Sequence, residues 1–206
     1  GDVSINSMGL RDREISILKP KDTTRIVMIG DSLTFGWGVS QDGTFSRVLE
    51  AALRREKSKF EVINTGVGNY NTVMAVTAFL EKYKDLQPDI VILNYFINDA
   101  EKIPSYRTTF LQRHSMAWIY FAARVDSALR AARREDRQDW RSYYLDLYET
   151  RSDHGNWKAA ENAISKLADW AQRENVRMMI VHHPELRHLN PYPFSAITSR
   201  VQALSK

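Results

Sequence analysis

The sequence predicts an α/β fold built on an open, mainly parallel sheet. Four apolar runs of strand length, with amphipathic helical stretches between them, lead to this prediction. The runs are nearly continuous in hydrophobic residues, as expected when helices cover both faces of a parallel sheet. They comprise Arg25–Ile29, Phe60–Ile63, Asp89–Phe96 and Val176–Val181. Right-handed crossover connections are expected to join the successive strands.

Amphipathic helical stretches alternate with these strands. Phe45–Leu53 carries the first apolar stripe, with Thr44 as its expected N-cap. Val73–Tyr83 carries the second, which must end before Pro88 because the residue preceding a proline disfavours helical angles. Trp157–Ala171 carries the third. Strands and helices therefore alternate along the chain, as in doubly wound folds.

The length of the chain predicts a single domain, residues 1–206, at the usual size of about 150 residues per domain. The connection between the third and fourth strands, residues 100–156, is too long for an ordinary crossover, so we expect a helical insertion there. One apolar stripe lies inside this insertion and another follows the last strand: Trp118, Phe121, Val125 and Leu129, and then Phe194, Ile197 and Val201.

Charge and composition exclude several classes of function. Lys and Arg number 29 and Asp and Glu number 25, which gives a formal net charge of +4. The arginines of Arg124–Arg141 are interleaved with acids, a pattern typical of a solvated helix face. No zinc-finger, RNP or basic-zipper pattern is present. No apolar run nears the ~18 residues of a membrane span. We expect no nucleic-acid partner and no membrane span, and the absence of cysteine excludes disulfides.

Polar and glycine-rich segments follow three of the predicted strands. They are Gly30–Gly36 after the first strand, Asn64–Thr72 after the second and Asn98–Asp99 after the third. Because parallel strands all end at one edge of their sheet, these segments are expected to converge there. A serine hydroxyl, a glycine-rich loop and an amide side chain would then meet, which is the set of groups that acyl transfer requires.

The sequence around each of these three segments resembles a motif of a known family. Val27–Leu33, which reads Val-Met-Ile-Gly-Asp-Ser-Leu, resembles the first block of the GDSL esterases, also called SGNH hydrolases. Asn64–Thr72 and Ile97–Asp99 resemble the second and third blocks, and they follow in family order. The resemblance implies a three-layer α/β/α, flavodoxin-like fold with a mainly parallel sheet. It also implies hydrolysis of a small acyl ester, of a lipid or an acylated carbohydrate, with no cofactor and no metal.

The same resemblance assigns roles to site residues. Ser32 takes the place of the nucleophile, and the oxyanion hole would consist of the Ser32 N–H, the Gly68–Asn69 backbone and the Asn98 amide. Asn69 stands where the family has glycine. Its contribution is a main-chain N–H, and asparagine tolerates left-handed angles better than most residues. The expected catalytic residues are therefore Ser32, Asn69 and Asn98.

Other residues near the strand ends have structural interpretations. Asp31 is expected to cap the turn before Ser32, and Asp99 to hold the loop of Asn98. Aromatic residues beside strands are more typical of core than of an acyl pocket: Trp37, Tyr70, Tyr95 and Phe96. A second aromatic group is expected to pack the insertion onto the sheet rather than to bind a sugar: Trp140, Tyr143, Tyr144 and Tyr148.

The family's catalytic base, an Asp-x-x-His block, has no match in the sequence. Only His188 has an acid three residues before it, and Glu185–His188 is more typical of a surface turn. His182 and His183 end the fourth strand, without a carboxylate at metal-ligand spacing. We expect the Asp-His pair to lie beyond Lys206, so that these residues alone act weakly, or else His183 or His188 to replace it.

Two alternatives to an esterase remain open. An O-acyltransferase that acetylates a carbohydrate would use the same nucleophile and oxyanion donors but another acceptor, so acetate release with and without a polysaccharide would distinguish it. A non-catalytic binding domain would keep the fold without a working base. Covalent labelling by a fluorophosphonate distinguishes a binding domain from an esterase, because the labelling reaction requires an activated serine.

Overall fold

A computed structural model describes residues 3–56, 59–103, 140–149, 151–152 and 155–204. The helix expected around Trp118–Leu129, the arginine-rich stretch up to Asp139, and the histidines His114 and His154 lie outside these ranges.

The sheet has four parallel strands. They span Thr24–Ile29 (β1), Phe60–Asn64 (β2), Ile90–Tyr95 (β3) and Arg177–His182 (β4). Their order is β2-β1-β3-β4, so β1 lies between the two strands that follow it in the chain. Each strand agrees with its predicted position to within one residue at either end, which confirms the predicted α/β class and parallel sheet.

Helices cover this sheet on both faces. The described helices are Ser32–Phe35 (α1), Phe45–Glu56 (α2), Thr72–Ala78 (α3), Trp140–Asp146 (α4), Trp157–Arg173 (α5) and Ser195–Ala203 (α6). α3 continues through a π-helical turn, Phe79–Tyr83, into a 3-10 turn, Lys84–Leu86. None of the helices in the described ranges has the length and apolar character needed to cross a membrane.

Two apolar layers hold the helices to the sheet. The larger layer lies between the sheet and α3, α5 and α6, and it includes Val27, Leu93 and Leu167. The smaller layer lies on the opposite face, where α2 packs on Ile26 and Val62. Odd and even strand residues therefore face different helices, because successive side chains of a strand point to opposite faces. The result is the expected three-layer α/β/α arrangement.

Side-chain caps begin two of the long helices. Asn71 Oδ1 accepts the N–H of Met74 at 2.9 Å to start α3, and Asn156 Oδ1 accepts that of Ala159 to start α5. Thr44 precedes α2 as predicted, and its carbonyl accepts the first helical N–H. Its hydroxyl donates to the carbonyl of Gln41 at 2.8 Å, so the polar group ties the preceding turn to the helix.

The predicted burial of α2 and β4 is wrong in part. Phe45 and Val48 of α2 are 42% and 56% exposed, and Met179 of β4 is 53% exposed. β4 is one of the two edge strands in the described part of the sheet, and the face that it shares with α2 forms an open apolar groove of about 650 Å³. A strand is buried on both faces only where helices cover both, and in the described part of the chain only the α5 side of β4 is covered.

The aromatic residues of α4 and the turn after it pack on the sheet, as expected. The hydroxyls of Tyr148 and Tyr95 are 2.7 Å apart and buried, and Tyr148 also donates to the carbonyl of Ile97. Trp140 meets the ring of Phe194 edge-on at 5.7 Å between centroids. These contacts anchor the end of the long connection next to the residues that follow β3.

Candidate active site

The first block of the site is a tight turn from β1 into α1. Asp31 Oδ1 accepts the N–H of Leu33 at 2.9 Å, so Asp31 caps α1 as predicted. Ser32 is the first residue of α1 and is half-buried. Its N–H has no acceptor within the helix because the first turn of a helix leaves its donors unpaired. Its hydroxyl makes no hydrogen bond to any residue that the structure describes.

α1 ends one turn later in a left-handed glycine. Gly36 has a φ of +84°, and its N–H donates to the carbonyl of Leu33 at 3.1 Å. The next N–H, that of Trp37, reaches back to the carbonyl of Ser32 at 3.0 Å. This pair of bonds is the Schellman motif, which needs a residue that accepts left-handed angles at the position of Gly36. Ser32 is therefore fixed by its cap at one end of α1 and by this motif at the other.

A buried arginine holds the loop that follows α1. The guanidinium of Arg11 donates to the carbonyls of Phe35 at 3.0 Å and Val39 at 2.6 Å, and to that of Gly36. Arg11 is buried, and its guanidinium also lies over the Phe35 ring. Sequence reasoning missed this role, because nothing local to Arg11 shows that it binds carbonyls more than twenty positions away.

The second block lies against the first. The N–H of Thr65 donates to the carbonyl of Met28 at 2.9 Å, and the N–H of Val67 donates to that of Gly30 at 3.1 Å. A Cβ on Gly66 would stand 2.5 Å from the Phe35 nitrogen, so only glycine allows this approach to α1. The glycine-rich loop is thus joined by backbone contacts to the segment that carries Ser32.

Asn69 adopts the left-handed conformation in this loop. Its φ is +64°, whereas Gly68 has no positive φ. The conformational tolerance expected of asparagine is thus used at Asn69 itself, and the flexibility of Gly68 is not needed. The side chain of Asn69 is exposed, and the N–H of the next residue, Tyr70, donates back to Val67.

The third block is a 3-10 turn, Ile97–Ala100, after β3. Asp99 Oδ2 accepts the N–H of Phe96 at 2.7 Å, so Asp99 holds this turn as predicted. Burial, with the neighbouring charge of Asp31, raises the pKa of Asp99 well above its ordinary value. Asn98 lies half-buried on the same turn, and its Oδ1 is buried without a partner among the described residues.

These three blocks follow neighbouring strands at the carboxyl edge of the sheet. Ser32 follows the central strand β1, while Asn69 follows β2 and Asn98 follows β3, the two strands paired with β1. A Cβ on Gly30, at the start of the first block, would stand 3.1 Å from the Asn94 carbonyl oxygen, so this block lies against the strand that leads into the third block. The three loops therefore leave the sheet at one edge, as expected from its parallel strands, and the meeting of the Ser32, Asn69 and Asn98 groups stays a prediction.

His183 lies on the same edge but is engaged by other groups. Its Nε2 is 3.0 Å from Asn94 Oδ1, and its ring stacks on Phe45 with centroids 5.2 Å apart. Burial lowers the pKa of His183, with the charge of Asp31 opposing. A neutral ring donates its Nε2–H to the Asn94 oxygen, and this leaves Nδ1 as its acceptor. The preceding His182 also has a pKa lowered by burial.

The segment Glu185–His188 contains a turn, as predicted, but Glu185 is buried and not on the surface. Glu185 Oε1 accepts the N–H of Arg187 at 3.1 Å, and the Glu185 N–H donates to the Tyr192 hydroxyl. In the described ranges no bond joins Glu185 to His188, so the acid and the imidazole do not form a catalytic pair there. Those ranges also contain no group of three His, Asp or Glu side chains that could hold a metal ion.

One aromatic residue differs from its predicted position. Tyr95 is buried, as expected of an aromatic beside a strand, but Trp37 is 78% exposed. The difference arises because Trp37 follows the cap of α1 rather than a strand, so the backbone of the motif fixes its place and no apolar layer encloses it.

Comparison with solved structures gives several similar chains. LAE5, an alpha/beta hydrolase enzyme from the metagenome of Lake Arreo in Spain, is 17% identical, with 76% of this chain and 59% of LAE5 covered at a TM-score of 0.46. The chain thus spans about three fifths of the length of LAE5. The psychrotrophic esterase EstA from Pseudoalteromonas sp. is 15% identical over 87% of this chain and 74% of its own, with a TM-score of 0.41. AlinE4, an SGNH-hydrolase family esterase, is 17% identical over 89% of this chain and 97% of its own, with a TM-score of 0.37.

The comparison with curated proteins gives no match. The model of one protein family matches residues 28–194, which include Ser32, Asn69 and Asn98. That family is described as the GDSL-like lipase/acylhydrolase family. Since the match covers most of the sequence, the chain belongs to the GDSL-like lipase/acylhydrolase family.

Proposed function

We propose that this protein is a serine ester hydrolase that works through an acyl-enzyme on Ser32. The observation that carries the proposal is the position of Ser32 at the start of α1, where its N–H has no acceptor within the helix. Its hydroxyl is also free of the residues that the structure describes, and the loops after β2 and β3 lie on either side. A nucleophile and a hydrogen-bond donor are thereby offered by the same residue.

The reaction consists of two acyl transfers. A base takes the proton of the Ser32 hydroxyl while Oγ bonds to the ester carbonyl carbon, and the carbonyl oxygen becomes an oxyanion. The Ser32 N–H, the Asn69 N–H and the Asn98 amide donate to that oxyanion. Its collapse breaks the bond to the alcohol oxygen, which leaves with the proton from the base. Water then attacks the acyl-enzyme in the same way and releases the acid.

The proton of Ser32 needs an acceptor for this mechanism. His183 has Nδ1 available, but its Nε2 is bonded to Asn94 and its ring is stacked on Phe45. Those contacts hold the ring in one orientation, and no bond from His183 to Ser32 is found among the described residues. Imidazole added to the solution can accept this proton, and turnover is therefore measured with and without it.

The test combines covalent labelling with turnover. A fluorophosphonate and p-nitrophenyl acetate are offered to the protein and to two variants, Ser32→Ala and Ser40→Ala, with and without imidazole. Ser40 is an exposed serine on the nearby loop and is the matched control. We expect labelling and imidazole-stimulated turnover in the protein and in Ser40→Ala, and neither in Ser32→Ala. Labelling that survives Ser32→Ala contradicts the proposal, and so does the absence of Ser32-dependent turnover with imidazole present.

A further inference from the structure

Trp37 exposes a large apolar ring to solvent. At 78% exposure it is the most exposed of the large hydrophobic side chains in the described ranges. Leaving an indole in water forgoes the stabilisation that its burial would give. Aromatic residues that stay uncovered next to a reactive group are frequent points of contact with ligands. The position of this ring relative to Ser32 therefore bears on what the site binds.

The cap of α1 brings the backbone of Trp37 next to that of Ser32. In a Schellman motif, the residue after the left-handed glycine lies next to the residue whose carbonyl accepts its N–H, and an apolar contact between the two is frequent. Here these residues are Trp37 and Ser32, joined at 3.0 Å between nitrogen and oxygen. Serine has little apolar surface with which to cover an indole. The usual apolar contact of the motif is therefore left for another group to make.

The loop holds Trp37 in a defined place. Gly36 and Gly38 on either side have φ angles of +84° and +87°, and Arg11 binds the carbonyls of Gly36 and Val39. Because the buried guanidinium of Arg11 binds carbonyls on both sides of Trp37, it limits the movement of the Trp37 backbone. Trp37 and Phe35, with ring centroids 6.4 Å apart, line a cleft of about 500 Å³. A residue whose backbone is already held loses less entropy when a ligand packs against it.

We propose that Trp37 is a specificity residue, whose indole packs against an apolar substituent of the ester while the carbonyl is held at Ser32. This inference rests on the function proposed above. The substituent is either the acyl chain or the alcohol part of the ester, which share the apolar chemistry that the indole recognises. The substrates favoured are therefore esters with a hydrocarbon chain beyond the first carbons, rather than acetates of small polar alcohols.

The test measures chain-length preference in two substrate series. One series is p-nitrophenyl acetate and hexanoate, and the other is the acetates of ethanol and hexanol, each with Ser32→Ala as the blank. We expect kcat/KM to favour the longer ester in one series. Trp37→Ala should reduce that preference about tenfold, the effect of roughly two buried methylene groups, and Trp37→Phe should retain most of it.

Leu18→Ala is the matched control, since Leu18 is 75% exposed and precedes β1 at the opposite edge of the sheet. It should leave both preferences unchanged. The series in which Trp37→Ala acts identifies the substituent. The inference is overturned if neither preference changes in Trp37→Ala, or if Leu18→Ala lowers it equally. If hydrolysis is lost in Ser32→Ala and the chain-length preference is unchanged in Trp37→Ala, the esterase proposal stands and this inference fails. If hydrolysis survives Ser32→Ala, both proposals fail.

Discussion

The side chain of Asn71 ties the loop after β2 to the turn after β3 by donating to the carbonyl of Glu101. Its Nδ2 lies 2.8 Å from that oxygen, while its Oδ1 accepts the N–H of Met74 at the start of α3. Asn71 is buried and stands two residues after Asn69. Glu101 stands three residues after Asn98. One amide therefore sets the spacing between two of the three segments that carry the proposed oxyanion donors.

Asn71→Ser separates the two bonds of this side chain. Serine still accepts from a helix N–H, so α3 keeps its cap, but it is too short to reach the Glu101 carbonyl. We expect the free energy of unfolding to fall by about 1 kcal/mol and kcat to fall by more than tenfold, because small shifts in donor position are costly. Urea unfolding and ester turnover measure the two effects. Wild-type turnover in Asn71→Ser would show that the bridge does not position the site.

Asn98→Ala tests the proposed amide donor. Loss of one oxyanion donor removes about 2.7–4 kcal/mol of transition-state stabilisation, so we expect kcat to fall by about 10²–10³. In Asn98→Asp, which keeps the shape, removes the donor and adds a negative charge, kcat should fall at least as far. The melting temperature of Asn98→Ala should change little, since the amide bonds to no described residue and its Oδ1 is already unpaired. An unchanged kcat in both variants would exclude Asn98 from the site.

Asn69 is expected to act through its backbone. Asn69→Gly and Asn69→Ala both keep the N–H, so kcat should stay within about threefold of wild type in each. Their stabilities should differ, because alanine at a φ of +64° is strained by about 1 kcal/mol and glycine is not. Chemical unfolding compares the two. A large loss of kcat in Asn69→Gly would mean that the side chain, and not the N–H, takes part in the reaction.

The raised pKa of Asp12 predicts that the free energy of unfolding depends on pH. Burial raises the pKa of Asp12 to about 6, against the opposing bond from the Asn64 N–H. The native state thus holds a proton that the unfolded chain has lost between about pH 4 and pH 6. The stabilisation from this group is present below pH 4 and is lost as pH rises through 6, by at most about 3 kcal/mol.

Unfolding free energies measured from pH 4 to pH 7 check this prediction. Asp12→Asn should make the decline that the wild type shows over this interval shallower, leaving the part that comes from other buried acids such as Asp99, and Asp22→Asn, at an exposed acid, should leave it unchanged. Parallel curves for the protein and Asp12→Asn would contradict the assignment.

The strands and helices follow from local pattern, and the sequence therefore located them well. Continuous apolar runs and periodic stripes are set by neighbouring residues, as in β3 and α5. The cap of α3 was not predicted, and it is Asn71 whose side chain starts this helix. The segments that follow each strand were placed at one edge because the direction of a parallel sheet requires it.

Other features depend on partners far along the chain, which no local pattern reveals. Arg11 reaches carbonyls 24 to 28 positions away, and the bond from Asn71 spans 30. The exposure of Met179 depends on which strand lies at the edge, and that of Trp37 on how α1 ends. Sequence reasoning could name the segment of the proposed nucleophile and its Asp31 cap, but not Arg11 or Asn71, which hold the neighbouring loops.

The bond from Trp37 to Ser32 closes the first block into a unit of fixed length. One residue inserted or deleted within Ser32–Trp37 would rotate the rest of α1 by about 100° about its axis and break the register of this bond. Point changes at the exposed Leu33 keep that geometry, whereas changes in loop length do not. Recombination or insertion libraries made from this protein should therefore place their joints beyond Val39, and treat the stretch before it as indivisible.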